Sequence, residues 1–217
     1  STGGSDFQLA QYAGGWLRLG DNAPAAGEVT GVAGPEVWQY LSTNKWYFET
    51  SIAVTDVSDA NIFVGFAQDG YVDSDTLPTD GIGFSHLQDT TTIQFISRKN
   101  GAGVSFDMLD TAGGSTFTFE DSTVPTQTAT VQAKPTNSVR LGFIYQPADS
   151  EPGVTANQYR LFLNGNPVGI QAATTVPDDI ALEANMMIAH KGTNANHLVV
   201  DYFNTIQSRV AASGPQA

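Results

Sequence analysis

The side chains best suited to chemistry are the acids between Lys45 and Arg98. No basic residue interrupts that interval, and Glu49, Asp56, Asp59, Asp69, Asp73, Asp75, Asp80 and Asp89 fall within it. Asp69-Gly70-Tyr71-Val72-Asp73-Ser74-Asp75 sets three carboxylates at alternating spacing near a turn. Hard cations such as Ca²⁺ take ~6–8 oxygens from carboxylates and loop carbonyls, so Asp69, Asp73 and Asp75 are the ligands expected of any Ca²⁺ site. The segment lacks the turn glycine and closing glutamate of an EF-hand, and its plainer reading is a solvated acidic loop. Three aromatic residues are candidates for contact with a ligand, because an aromatic face can pack on the apolar side of a pyranose. Trp16 follows Gly14-Gly15, Trp38 follows Gly34-Pro35, and Tyr71 sits among the acids. Trp46 lies inside a strand pattern and reads as core, and burial is the commoner fate of tryptophan.

Catalytic patterns are not found. Glycosidases with a β-sandwich need two carboxylates facing one cleft, ~5–5.5 Å apart in retaining enzymes. The usual local form is Glu-x-Asp-x-Glu or Glu-x-Asp-x-x-Glu on one strand. Glu49 is followed by Thr50-Ser51-Ile52, and Asp107-Met108-Leu109-Asp110 has the wrong phase. The sequence has no Gly-x-Ser-x-Gly elbow and no His-Glu-x-x-His pair. Gly81-Ile82-Gly83-Phe84-Ser85-His86 starts like a dinucleotide loop but has His at the third glycine position, and it reads as a strand edge and turn. His86, His190 and His197 are scattered and carry no metal-binding spacing. The expectation is a protein without enzymatic activity and without a required cofactor.

The elements that would position these residues are short β-branched and aromatic runs separated by Gly, Pro, Asn and Asp. Such runs lie at 46–54, 61–67, 92–97, 104–108, 115–119, 138–145, 157–163, 168–170 and 197–203. Asn100-Gly101 and Asn164-Gly165 are hairpin turns, since both positions must tolerate positive φ. In 178–188 the capping acids suit a helical turn first and a strand afterwards. The pattern predicts an all-β sandwich with no long amphipathic helix.

Composition agrees. The chain has 217 residues, with 9 Lys+Arg against 22 Asp+Glu for a net charge of −13, a charged fraction of 14% and no Cys. Twelve Phe, seven Tyr and three Trp supply a large core. The acidic balance lacks the basic field that phosphate backbones require, so nucleic acid is not an expected partner. No apolar run reaches the ~20 residues of a membrane span, so a membrane is not expected either. Residues 1–15 read as a flexible N-terminal arm, 16–210 as one domain and 211–217 as a flexible tail.

Lys45-Trp46-Tyr47-Phe48-Glu49-Thr50, followed by Phe63-Val64-Gly65-Phe66-Ala67, resembles the aromatic and Val-Gly-Phe strands of SPRY-type and other concanavalin-A-like (lectin/laminin-G-like) domains. The hairpin Tyr159–Gly169 and the closing Leu198-Val199-Val200-Asp201-Tyr202-Phe203 are similar to those of the same superfamily. The resemblance implies a jelly roll of two packed antiparallel sheets. It names no single function, because this fold hosts lectins, glycosidases, peptide binders and viral structural proteins. The absence of Cys, the scarcity of Lys and the abundance of Ala, Gly, Thr, Asn and Gln also resemble virion structural proteins of tailed bacteriophages. That likeness implies a capsid decoration or cement protein on the virion surface. Its partners would be the major capsid protein and copies of itself, for example as a trimer. The alternative is a carbohydrate-binding, lectin-like module that attaches to a host glycan. A SPRY-like peptide binder is a third reading.

Overall fold

A computed structural model of the chain describes residues 8–9, 16–21, 23–39, 43–71, 76–88, 90–123 and 135–208. Strand β1 (Gln8–Leu9) pairs with β2 (Leu17–Asp21). Next come β3 (Val29–Trp38), β4 (Trp46–Val54), β5 (Ala60–Ala67), β6 (Gly81–His86) and β7 (Gln94–Lys99). The remainder are β8 (Ala102–Asp107), β9 (Val139–Gln146), β10 (Gln158–Leu163), β11 (Asn166–Ala172), β12 (Leu182–His190) and β13 (Asn196–Gln207). A 3-10 turn, Val57–Asp59, joins β4 to β5 and is capped by the Asp56 side chain.

These strands make two antiparallel sheets, a jelly-roll sandwich. One has seven strands in the order β1-β2-β13-β4-β9-β10-β11, and the other has six in the order β3-β12-β5-β6-β7-β8. Alternate side chains of a strand face opposite ways, so each sheet offers one face to a shared core. Phe48, Ile52 and Val54 of β4, Leu141, Phe143 and Tyr145 of β9, and Tyr159 and Leu161 of β10 enter it from the seven-stranded sheet. Val64 and Phe66 of β5, Phe84 of β6 and Phe95 of β7 meet them from the other. Phe48 lies at the centre, with ring centroids 5.4 Å from Phe143, 5.7 Å from Phe66 and 4.8 Å from Phe203. Such edge-on and tilted pairs each contribute roughly 0.5–1.5 kcal/mol beyond the area they bury.

Both Asn-Gly turns form as the sequence suggests. Asn100 and Gly101 take φ of 53° and 78°, and Asn164 and Gly165 take 52° and 83°. Gly65 faces Gly83 across β5 and β6, where the backbones approach so closely that a Cβ on Gly65 would lie 2.6 Å from the Gly83 Cα.

Three sequence readings change. Segment 178–188 forms no helical turn, and its strand β12 begins at Leu182. The run at 115–119 contributes only a single bridge, Leu109 to Thr116. Val29–Trp38 is a strand of ten residues although it contains Gly31, Gly34 and Pro35. It lies at the edge of its sheet, where a proline costs no ladder bond. Of the proposed arm, Gln8 and Leu9 form β1 and Leu9 faces Leu17 across the ladder; residues 1–7, 10–15 and the 211–217 tail lie outside the described residues.

Candidate functional site

The inner face of the seven-stranded sheet is consumed by the core, which leaves its outer face for function. The registers of five adjacent strands set that face out in rows. Ile206 of β13 pairs with Tyr47 of β4, Tyr47 with Ile144 of β9, Ile144 with Arg160 of β10, and Arg160 with Ile170 of β11. Two residues along each strand, Asn204, Glu49, Gly142 and Phe162 form the next row. Tyr202, Ser51 and Arg140 form a third.

Glu49 organises this face. Its two carboxylate oxygens accept separately from the Tyr47 hydroxyl at 2.6 Å and the Tyr202 hydroxyl at 2.5 Å. Arg140 Nε stands 3.9 Å from the same carboxylate. Partial burial, then the hydrogen bond to Glu49 and its charge, push the Tyr47 phenol up to about 12 against the opposing pull of Arg140. The Tyr202 phenol is driven higher still by the same causes. Both tyrosines therefore hold their protons at any physiological pH and act as donors.

Beside this cluster lies an open cleft of about 420 Å³, lined by Ser51, Ser138, Arg140, Asn164, Asp201 and Tyr202. The lining comes from β4, β9 and the residue before it, β13 and the Asn164-Gly165 turn. Asn164 is itself held by its turn: its Oδ1 accepts from the Arg140 backbone N–H at 3.0 Å. The cleft thus offers a guanidinium, a carboxylate, an amide and hydroxyls around one aromatic ring. That set suits a hydroxyl-rich ligand, which needs donors and acceptors at fixed spacing and one flat apolar contact.

The residues singled out by sequence lie elsewhere. Trp16 is 2% exposed and packs on Ala53 and Val199 on the outside of the seven-stranded sheet, so its ring has no free face. Trp38 is half-buried and stacks on Trp46, with centroids 6.3 Å apart and planes 10° from parallel. Tyr71 is 3% exposed; its hydroxyl donates to the Thr76 carbonyl at 2.5 Å and its ring meets Phe63 edge-on. Each of the three rings finds an apolar neighbour within the fold; Trp16 and Tyr71 are buried, and Trp38 keeps part of its surface in solvent. Asp69 is exposed, whereas Asp73 and Asp75 lie outside the described residues. Among the described residues no three His, Asp or Glu side chains converge on a metal position.

His86 and His197 are held by contacts within the fold. His86 is buried with its ring nitrogens against the carbonyls of Thr92 and Val57. The Arg18 guanidinium, which can only donate, contacts His197 Nε2 at 2.5 Å and so requires that nitrogen unprotonated. Burial first, and the Arg18 charge second, lower the His197 imidazole to about 4.

Sequence reading placed Glu49 in the acidic interval but did not link it to Tyr47, Tyr202 or Arg140. A usable signal was present in β4, where Tyr47, Glu49 and Ser51 alternate with Trp46, Phe48 and Thr50. It marks a polar outer face without saying what stands beside it.

In sequence the chain matches no family model and no curated protein. In three dimensions it is similar to the metal-free carbohydrate recognition domain of Emp46p, with a TM-score of 0.57 and 11% identity over 93% of this chain and 85% of that one. It is similar to alginate lyase AlyC3 in complex with dimannuronate, at a TM-score of 0.53 and 9% identity over 94% of this chain and 78% of that one. The binding domain of botulinum neurotoxin DC, in complex with rat synaptotagmin II, gives 0.54 and 10% over 93% and 41%. At these identities the likeness is one of fold. It defines the class as a jelly-roll β-sandwich, the fold shared with these domains. None of these three neighbours is a virion protein, and the likeness to phage particles drawn from composition gains no support from them.

Proposed function

We propose that the protein is a non-catalytic carbohydrate-binding module that holds its glycan in the cleft beside Tyr202. The observation that carries this reading is the convergence of Arg140, Asn164, Asp201 and Tyr202 on one open cleft of about 420 Å³. Tyr202 offers a ring for a pyranose face, Asp201 and Asn164 accept from sugar hydroxyls, and Arg140 and Asn164 donate to them. One neighbour by fold is named a carbohydrate recognition domain and another, a lyase, is in complex with dimannuronate, which agrees with a carbohydrate ligand. The non-catalytic part of the proposal is supported by Tyr202, whose proton is committed to Glu49 and whose phenol is raised well above neutrality, which makes it a poor general base.

Calorimetric titration against a panel of neutral and acidic oligosaccharides tests the reading. The wild type binds at least one class of glycan, and Asp201→Ala weakens that binding at least tenfold while the melting temperature holds. Failure of the whole panel to bind would remove the proposal. The acidic charge suits the alternative of a virion-surface protein, in which the same cleft would meet host glycans. Co-sedimentation with shells lacking the protein tests that role separately.

A further inference from the structure

Ile170 and Ile206 are the two large apolar side chains that stand out into solvent among the described residues, at 62% and 61% exposure. They lie on the same outer face, at opposite ends of one row. Reading across the sheet from β13 to β11, that row is Ile206, Tyr47, Ile144, Arg160, Ile170. It is nearly a palindrome about Ile144. A two-fold axis running along the strands through Ile144 would lay the row on its own copy. Ile206 of one copy then meets Ile170 of the other, Ile144 meets Ile144, and Tyr47 meets Arg160.

Each of these meetings is favourable. The isoleucines remove exposed apolar surface from water. Arg160 already lies 5.9 Å from the Phe162 ring of its own chain, so its guanidinium can accept a second aromatic face, that of Tyr47. In the next row the same axis sets Glu49, with its carboxylate satisfied by two phenols, against Phe162, and leaves the flat Gly142 positions facing each other. The flanking row is uncharged in effect: Lys45 is paired with Glu151, and Gln146 links Gln158 to Glu151. Arg140 of each copy approaches the axis at the rim, beside its own Glu49.

We infer that this face is an isologous interface and that its occupant is a second copy of this chain. Five strands at ~4.8 Å and three side-chain rows, those of Lys45, Tyr47 and Glu49, span a face of roughly 24 by 20 Å, so two copies bury about 1,000 Å², near the lower bound of specific interfaces, and the row of Tyr202, Ser51 and Arg140 stays at the rim. The pair is therefore a concentration-dependent dimer. Because the axis runs along the strands, both Tyr202 clefts emerge at the same end of the dimer. Two weak glycan contacts on one surface then act together.

Sedimentation velocity on the full chain, from about 1 to 200 μM, reads the proposal directly, since an interface of this size gives a weak dimer. The wild type shifts from monomer to dimer mass across the series. Ile170→Asp and Ile206→Asp, both at exposed positions and checked by thermal melts for an intact fold, stay monomeric throughout. A wild type that is monomeric at every concentration overturns the inference, as does a trimer, or a dimer that both variants leave intact. A monomer whose Ile170→Asp variant loses glycan binding would also overturn it and assign the row to the glycan. Glycan binding by the wild type is scored in a separate titration, so the cleft reading and the dimer can fail independently.

Discussion

The hydroxyl of Tyr202 donates to Glu49 Oε1 at 2.5 Å although the two residues are 153 positions apart in the chain. The partner oxygen takes the Tyr47 hydroxyl from two residues away on the same strand. One carboxylate therefore ties β13 to β4 on the outer face and orients the ring that borders the cleft.

Removing the Tyr202 hydroxyl alone tests that tie. Tyr202→Phe keeps the ring but leaves Glu49 Oε1 without its donor, and hydrogen bonds to charged groups contribute about 1.5–3 kcal/mol. Partial exposure of the pair favours the lower end of that range. Urea denaturation should show a lowered midpoint with an unchanged slope. Glycan affinity should fall less than in Asp201→Ala, because the stacking face survives.

Acid should destabilise the protein through His197. Its imidazole titrates near 6.5 when the chain is unfolded and about 4 when folded, because of burial and the Arg18 charge. The unfolded state thus binds the proton first. Stability is full above pH 6.5 and falls as the pH drops towards 4, by about 3 kcal/mol from this residue. His190, also lowered by burial, acts in the same direction. His197→Gln keeps an acceptor for Arg18 and should flatten much of the decline in melting temperature between pH 7 and 4.5. An unaltered pH profile in that variant would place the sensitivity elsewhere.

Gly65→Ala should be costly despite its small size. The added methyl would meet the Ile82 carbonyl and the Gly83 Cα at the centre of the six-stranded sheet, where neither backbone can retreat freely. Overpacking of this kind costs about 1–3 kcal/mol, and a backbone neighbour argues for the upper end. Gly101→Ala, in open space but at φ 78°, is the control for conformational strain without a clash. Chemical denaturation of both variants separates the two effects.

Trp16→Ala should lower stability by about 3 kcal/mol and leave glycan binding unchanged in the remaining folded protein. The ring is 2% exposed against Ala53 and Val199 and lies apart from the cleft lining. Urea denaturation measures the first quantity and titration calorimetry well below the melting point the second. A selective loss of glycan affinity would return Trp16 to the list of contact residues.

Calcium provides a test of the acidic loop. If Asp69, Asp73 and Asp75 hold a Ca²⁺, EDTA should lower the melting temperature and millimolar Ca²⁺ should restore it, because a ligand that binds only the folded state stabilises it. No change in either direction leaves the segment as a solvated acidic loop.

The sequence by itself determined the class of fold, because its signals are local. Alternating Phe and Val positions require one buried face per strand, and Asn100-Gly101 and Asn164-Gly165 permit the positive φ of tight turns. It also marked Tyr47, Glu49 and Ser51 as a polar face. It did not reveal β3, whose Gly31, Gly34 and Pro35 suppress the strand signal and are tolerated at a sheet edge. Nor did it show that Trp16 and Tyr71 would be buried, since a ring's exposure depends on what the distant chain lays against it. The candidate site belongs to the tertiary structure alone. Glu49, Arg140, Asn164 and Tyr202 become neighbours only when β13 and β9 take their places on either side of β4. Strand order and register decide that, and both depend on contacts between segments whose spacing along the chain carries no periodic trace.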